Sequence, residues 1–301
     1  LGTWTPRFMV DASHAWNVLV NRRTFISGTA ASIASLPMIQ RAAWADGQSR
    51  MRVGVIGCGG RGTGAAFNAT EASSDVRIVA LADLFSDRLN NCRTHLKQIG
   101  DQVLVEDDDC HVGWDAATTL LSRPDVDLVI LATPPHFRPA MFAEAVARGK
   151  HVFMEKPVAV DPTGIRTVMK AADMADQLGL SCVAGTQRRH EACYLDAMQR
   201  IRQGDIGDVV SARCYWNQGG LWNKAREDDW SDMEWQLRNW LYFTWLSGDH
   251  IVEQHVHNID AINWALGGHP VRCVGMGGRQ SRTQPEYGHC FDHFAIDYEY
   301  P

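Results

Sequence analysis

Between His250 and Asp260 the sequence reads HIVEQHVHNID, a run dense in groups that exchange protons. Histidine titrates near neutral pH, so His257 can take a proton from a hydroxyl and give it back. Glu253 precedes it by one helical turn and Asp260 follows about one turn later, which puts Glu253 and His257 on one face of a helix near 250–266. There Glu253 either orients the imidazole or shares its proton. Two other readings of the same residues stay open. His250, Glu253 and His257 could share a face as imidazole and carboxylate ligands of a metal, with His255 pointing elsewhere; the spacing is not HExxH, and the expected metal complement is none. His257 could also be a structural histidine within a buried polar network.

A second chemical signature lies far upstream, in MRVGVIGCGGRGTG, residues 51–64. Val53, Val55 and Ile56 suit a strand buried in a parallel sheet. Gly57, Gly59 and Gly62 then fit G-x-G-x-x-G, with Cys58, Gly60 and Arg61 between them. The first glycine permits a tight turn, the second lets backbone N–H groups approach a pyrophosphate, and the third lets the helix pack against the strand. VRIVALAD forms the next strand and ends in Asp83, 21 residues beyond Gly62. An acid there accepts hydrogen bonds from ribose hydroxyls and repels a 2′-phosphate, so the expected cofactor is NAD rather than NADP, with Arg88 nearby softening the preference.

Strands and helices must alternate to position these groups. DLVILATPPH is a strand running into a Pro-Pro turn, FRPAMFAEAVARGK a helix closed by Gly149, HVFMEKP a strand, PTGIRTVMKAADMADQLG a helix and LSCVAG a strand. The pattern predicts an α/β fold with a doubly wound parallel Rossmann sheet, whose ligands lie at the carboxyl ends of the strands. Thr133, Pro134 and His136 leave one such end, and Glu155 and Lys156 another. With the glycine turn and Asp83 they complete the expected cofactor-binding set.

At MEKPVAVD the sequence resembles the Gfo/Idh/MocA oxidoreductases, which include glucose–fructose oxidoreductase and inositol dehydrogenase. The matching motifs are GCGGRG, ATPPH after the fourth main strand, EKP after the fifth, and the helix with His257, Ile259 and Asp260. The resemblance implies a second, α+β domain on an open mixed sheet, whose bare face receives the substrate or another subunit of a homo-oligomer. It implies hydride transfer between nicotinamide and a sugar or polyol carbon. It makes Lys156 the lysine that acts on the substrate hydroxyl and His257 the general acid/base. Where the family commonly has Asp this chain has Glu253, and where it often has a small residue this chain has His255, so the substrate and proton path depart from the family pattern. The expected regions are 1–45 for a signal, 50–184 for the NAD-binding domain and 185–301 for the substrate or oligomerisation domain.

Beyond the motifs, YWNQGGLWNKAREDDWSDMEWQLRNWLYFTW (215–245) holds six of the eleven tryptophans. Such rings either pack against sugar faces, Trp222 among them, or anchor an insertion or an interface. GTQRRHEACY (185–194) offers Arg189 and Tyr194 to a substrate, or is a solvated basic turn. With His255 and Asp260 these form the candidate substrate set. Net charge is −6, which gives no general attraction to nucleic acid, and no apolar run is long enough to cross a bilayer. The eight cysteines include no CxxC pair and read mostly as small buried apolar groups.

Arg22-Arg23, the weakly apolar stretch after them and the small-x-small site Ala43-Trp44-Ala45 have the order of a twin-arginine export signal, cleaved near Ala45. That route carries folded proteins, so the cofactor can be loaded, tightly held, before export to the periplasm. Leu1 is not a Met, and the last residues, HFAIDYEYP, alternate like a strand cut short; both ends read as fragment or gene-call edges. The expected function is an exported NAD-dependent oxidoreductase acting on a sugar, polyol or glycoside. The first alternative is an NAD-dependent glycoside hydrolase, which oxidises transiently, eliminates and re-reduces. The second is a non-catalytic sugar- or dinucleotide-binding protein.

Overall fold

A computed structural model describes residues 50–301. The twin-arginine segment and its cleavage site lie outside the described residues. Six short apolar segments form parallel strands: β1 (Met51–Ile56), β2 (Val76–Asp83), β3 (Cys110–Val112), β4 (Leu128–Leu131), β5 (His151–Met154) and β6 (Cys182–Ala184). Their order in the sheet is β3-β2-β1-β4-β5-β6. The chain reverses its winding direction between β1 and β4, which opens a crevice at their carboxyl ends.

Side chains of alternate residues enter two separate cores, one on each face of the sheet. Ile56, Ala80, Ala82, Val129 and Leu131 pack with Leu120, Leu121, Phe142 and Val146. Those partners belong to α3 (Ala116–Leu121) and α4 (Arg138–Ala147). Val53, Val55, Ile78, Leu81 and Ile130 pack on the other face with Ala65, Ala66, Leu89 and Leu96, from α1 (Gly60–Ala72) and α2 (Ser86–Leu96). Burying each such Leu or Ile contributes about 1.5–3 kcal/mol. Helices on both faces are what makes the strands read as continuous apolar runs instead of alternating ones. The strand-then-helix order continues through α5 (Pro162–Leu178), where Asp161 accepts from the Gly164 N–H at 2.7 Å and Gly179 closes the last turn in the left-handed region.

After β6 the chain builds α6 (Ala192–Gln203), α7 (Asp232–Arg238), α8 (Thr244–Ser247), α9 (Asp249–Glu253), α10 (Val256–Leu266), β7 (Arg272–Gly278) and β8 (His293–Glu299). The second sheet differs from the mixed one expected. Among the described residues it is an antiparallel pair, β7–β8, because only two strands are present there. The cysteines also depart from expectation. Cys58, Cys92 and Cys290 are buried, Cys193, Cys214 and Cys273 are exposed, and all eight are free. The three exposed thiols fall on α6, on an irregular stretch and on β7, none of which is covered on both sides as the Rossmann strands are.

Candidate functional site

The floor of the crevice is the glycine turn. Gly57 has φ +94°, and a Cβ on it would lie 2.7 Å from the carbonyl carbon of Ala132. A Cβ on Gly62 would lie 1.8 Å from the Gly57 carbonyl oxygen. The protein's own packing therefore demands these two glycines. Gly59 and Gly60 differ: a Cβ on either meets nothing within 4 Å. Their bareness leaves space in front of the N-terminus of α1, where backbone N–H groups favour an anion. This turn, Asp83, Thr133 and Pro134 line a cleft of about 760 Å³, a size that suits a nucleotide cofactor. Bare glycines at a helix N-terminus, with a buried carboxylate one strand away, fit a dinucleotide.

Asp83 is buried, and its carboxylate joins two loops. One oxygen accepts from the Cys58 N–H at 2.7 Å and the other from the Phe85 N–H at 2.9 Å. Burial still raises its pKa above the ordinary carboxylate value, against those two hydrogen bonds. Each oxygen keeps a second lone pair for a ribose hydroxyl. Arg61 reaches from α1 to Glu155, with Nε 2.7 Å from Oε1. His136 sits elsewhere than its sequence neighbours. Its ring packs edge-on against Phe137 and Trp245, both at 5.1 Å, and does not line the cleft.

Sequence reasoning did not single out Arg138. It is 4% exposed and donates to the carbonyls of Thr133 (2.8 Å), Glu155 (2.9 Å) and Pro157 (2.6 Å). It thus ties the loop after β4 to the loop after β5. Burial lowers its pKa to about 10, which leaves it charged at neutral pH. One signal was available: a cation at the first position of a helix faces the wrong end of the helix dipole, and so must answer to tertiary partners.

Lys156 leaves β5 and meets α9. Its ammonium donates to Glu253 Oε1 at 2.6 Å and to the Glu253 carbonyl at 2.7 Å. Both side chains are largely buried. Burial raises the Glu253 pKa, opposed by Lys156. The single helix expected over 250–266 is broken at Gln254 and His255 into α9 and α10. Glu253 consequently faces Lys156, not His257. The break also gathers the histidines differently: His250 Nδ1 and His255 Nε2 lie 3.2 Å apart, beside Phe294. His250, Glu253 and His257 therefore do not converge on one ion. Asp249, with φ +66°, holds α9 in place. Its carboxylate accepts from the N–H of His250 at 2.6 Å and of Phe291 at 2.9 Å.

His257 is buried and stacks on Trp216, with ring centroids 5.8 Å apart and 19° between planes. Burial, then the charges of Lys156 and Arg188, lowers its pKa to about 4; Asp260 acts in the opposite direction. Arg189 and Asp260 engage each other through two hydrogen bonds of 2.8 Å, with Arg189 over the Trp264 ring at 4.8 Å. Arg188 bonds Asn258 and lies 5.5 Å from the centroids of both Tyr194 and Trp216. Lys156, Glu253, His257, Arg189, Tyr194 and Asp260 thus fall on adjoining elements. Trp222 and His255 lie apart, the first at the rim of the glycine cleft.

Profile comparison matches residues 51–186 to "Oxidoreductase family, NAD-binding Rossmann fold" and residues 194–301 to "GFO/IDH/MocA C-terminal domain". The chain belongs to the Gfo/Idh/MocA family. Among its relatives is 2,7-anhydro-N-acetylneuraminate hydratase of Escherichia coli, 28% identical over 63% of this chain and 47% of the relative. Inositol 2-dehydrogenase of Gluconacetobacter diazotrophicus is 34% identical over 52% of this chain and 43% of its own. The chain spans about half the length of these curated relatives. The crystal structure of myo-inositol 2-dehydrogenase from Lactobacillus plantarum shares the fold, with TM-score 0.61 at 20% identity over 83% of this chain and 66% of that one. The Rossmann half of this chain is an NAD-binding domain of that family.

The depressed His257 pKa has a sign that can be tested. Between about 4 and the ordinary 6.5 the native state holds fewer protons on this ring than the unfolded chain. The group's contribution to stability is therefore complete above pH 6.5 and is lost as pH falls toward about 4. In the native protein the His257 ring signals in NMR should titrate near 4, and Lys156→Met should move the midpoint upward. A native midpoint at or above 6.5 would contradict the assigned surroundings.

Proposed function

We propose that this protein is an NAD-dependent oxidoreductase of a sugar, polyol or glycoside. The observation that carries the proposal is the Lys156–Glu253 ion pair just beyond β5, whose lysine also acts by its charge on the buried His257. NAD, when bound, accepts and returns the hydride of a carbinol carbon. The chain's own residues manage the proton and the charge. His257, neutral at physiological pH because its pKa is near 4, takes the hydroxyl proton. The Lys156 ammonium stabilises the negative charge that develops on the oxygen. Glu253 fixes the lysine and neutralises it in the resting site. Arg189, Tyr194 and Asp260 supply a polar border suited to further hydroxyls, beside the Trp216 face.

The hydratase relative favours a second reading within the same site. A hydratase adds water without net oxidation, so its substrate leaves at the redox level at which it came. In such a closed cycle the same three residues would serve elimination of the aglycone with loss of a proton, and then addition of water to the double bond so formed, between an oxidation and its reversal; a glycoside would thereby be cleaved to a free sugar with no net change in NAD. Accumulation of NADH with a free sugar or polyol supports the first reading. Product release without NADH supports the second, and binding without product supports a non-catalytic role.

Lys156→Ala should abolish turnover while NAD stays bound. His257→Ala should lower kcat by roughly 10²–10⁴-fold, the usual worth of a positioned acid or base. Glu253→Gln should resemble Lys156→Ala more than wild type, because its carboxylate is the lysine's partner. Wild-type turnover in His257→Ala, measured on a converted substrate, would overturn the assignment.

The export reading is part of the proposal and rests on the Arg22-Arg23 signal alone. Lys-Lys at these positions should hold the protein in the cytoplasm with its fold intact. Periplasmic accumulation of that variant, seen by fractionation, would dismiss the twin-arginine route.

A further inference from the structure

The glycine cleft has an outer wall that the proposed chemistry does not use. Trp222, Lys224, Leu237, Arg238 and Trp240 line it, and all of them come from beyond the Rossmann strands. Opposite stand Asp83, Leu84, Phe85 and Arg88. In a Rossmann crevice the pyrophosphate lies on the glycine turn and the acid at the end of β2 meets the adenosine ribose. The region past Asp83, toward Phe85 and Arg88, is therefore the adenosine end. Residues 222–240 of the tryptophan-rich segment face that end, whereas Trp216 stacks on His257.

The wall is latched to the Rossmann half. The Arg238 guanidinium meets both oxygens of Asp87 at 3.0 Å and Glu234 at 2.9 Å, and lies 3.9 Å from the Phe85 ring centroid. Arg88 donates back to the Arg238 carbonyl at 3.2 Å. Leu237, Phe243 and Leu246 form a buried cluster against which Leu84 and Phe85 pack. Within the wall, the wholly buried Asn239 accepts from the Lys224 N–H at 2.8 Å and donates to the Glu286 carbonyl at 2.7 Å. Trp222 closes edge-on against Trp240 at 5.9 Å. An adenosine seated here has protein on two sides. It leaves only if the Arg238–Asp87 pair and the Leu237–Phe85 contact separate, or if the Trp222 rim swings away.

We propose that residues 222–240 are a retention wall for the adenosine end of the dinucleotide, latched by Arg238 on Asp87 and Phe85, which keeps the cofactor on the protein from one turnover to the next. The proposal rests on the NAD reading of the cleft and extends it to residues of the second half of the chain. Its physical consequence is a slow off-rate, because most changes at an existing interface appear in dissociation. Arg238 matters doubly, as the ion-pair partner of Asp87 and as the flat cation over Phe85.

The test is the NAD dissociation rate, measured by chasing NADH-loaded full-length protein with excess NAD and following the loss of energy transfer from tryptophan to NADH. Arg238→Met should release NADH about 10-fold faster or more than wild type. If that variant fails to fold by circular dichroism, Trp222→Ala, at a position 46% exposed, opens the same rim without touching the core and should show the same direction. Unchanged dissociation in a folded variant overturns the wall while leaving the cofactor reading intact. Absence of NAD and NADH binding to wild-type protein in calorimetry overturns the cofactor reading itself, and the wall with it.

Discussion

The architecture turns on one buried ion pair, Lys156 with Glu253. These residues are 97 positions apart in sequence, and their contact joins the last turn of α9 to the loop after β5. Two charges removed from water must each be satisfied, and here the lysine gains both the carboxylate and the backbone carbonyl of Glu253. Loss of one partner from such a pair typically costs about 3–5 kcal/mol, because the other charge stays buried alone. Neighbouring groups keep the balance. Arg138 lowers the Glu253 pKa while Glu155 raises it, and Glu155 turns to Arg61 on the cleft side. The loop after β5 therefore sends an anion toward the cofactor cleft and a cation toward the second half of the chain.

That layout explains why the histidine differs from an ordinary surface imidazole. His257 is shut between Trp216 and the cations Lys156 and Arg188, so the neutral form dominates. A base in the proposed reaction must be unprotonated when the substrate arrives, and the surroundings supply that state without a carboxylate partner on the ring. Glu253 serves the lysine instead.

Much of this was legible in the sequence where the physics is local. The glycine turn, the strand ending in Asp83 and the alternation of strands and helices are set by residues close together in the chain, and the six-stranded parallel sheet follows from them. The residues after β4 and β5 could be placed at the crevice for the same reason. What escaped was decided by long-range contact. Helical periodicity through 250–266 gave no warning of the break at Gln254 and His255. Arg138 looked like one more helix residue until three carbonyls claimed it. The tryptophans gave composition without direction. Trp216 went to His257, Trp222 to the cofactor cleft, and Trp235, Trp240 and Trp245 to the cluster around Phe243.

In the proposed reaction the substrate carbon and the dinucleotide exchange hydrogen directly beside Lys156 and His257. The most direct measurement is a single-turnover reaction of the NAD-loaded protein with inositols and hexoses deuterated at their carbinol carbons. The mixture is quenched within one turnover and the dinucleotide analysed by mass spectrometry. Deuterium should appear on the dinucleotide, and should fail to appear in Lys156→Ala protein that still binds NAD. Product that forms while the dinucleotide stays unlabelled at every quench time within the turnover would contradict it.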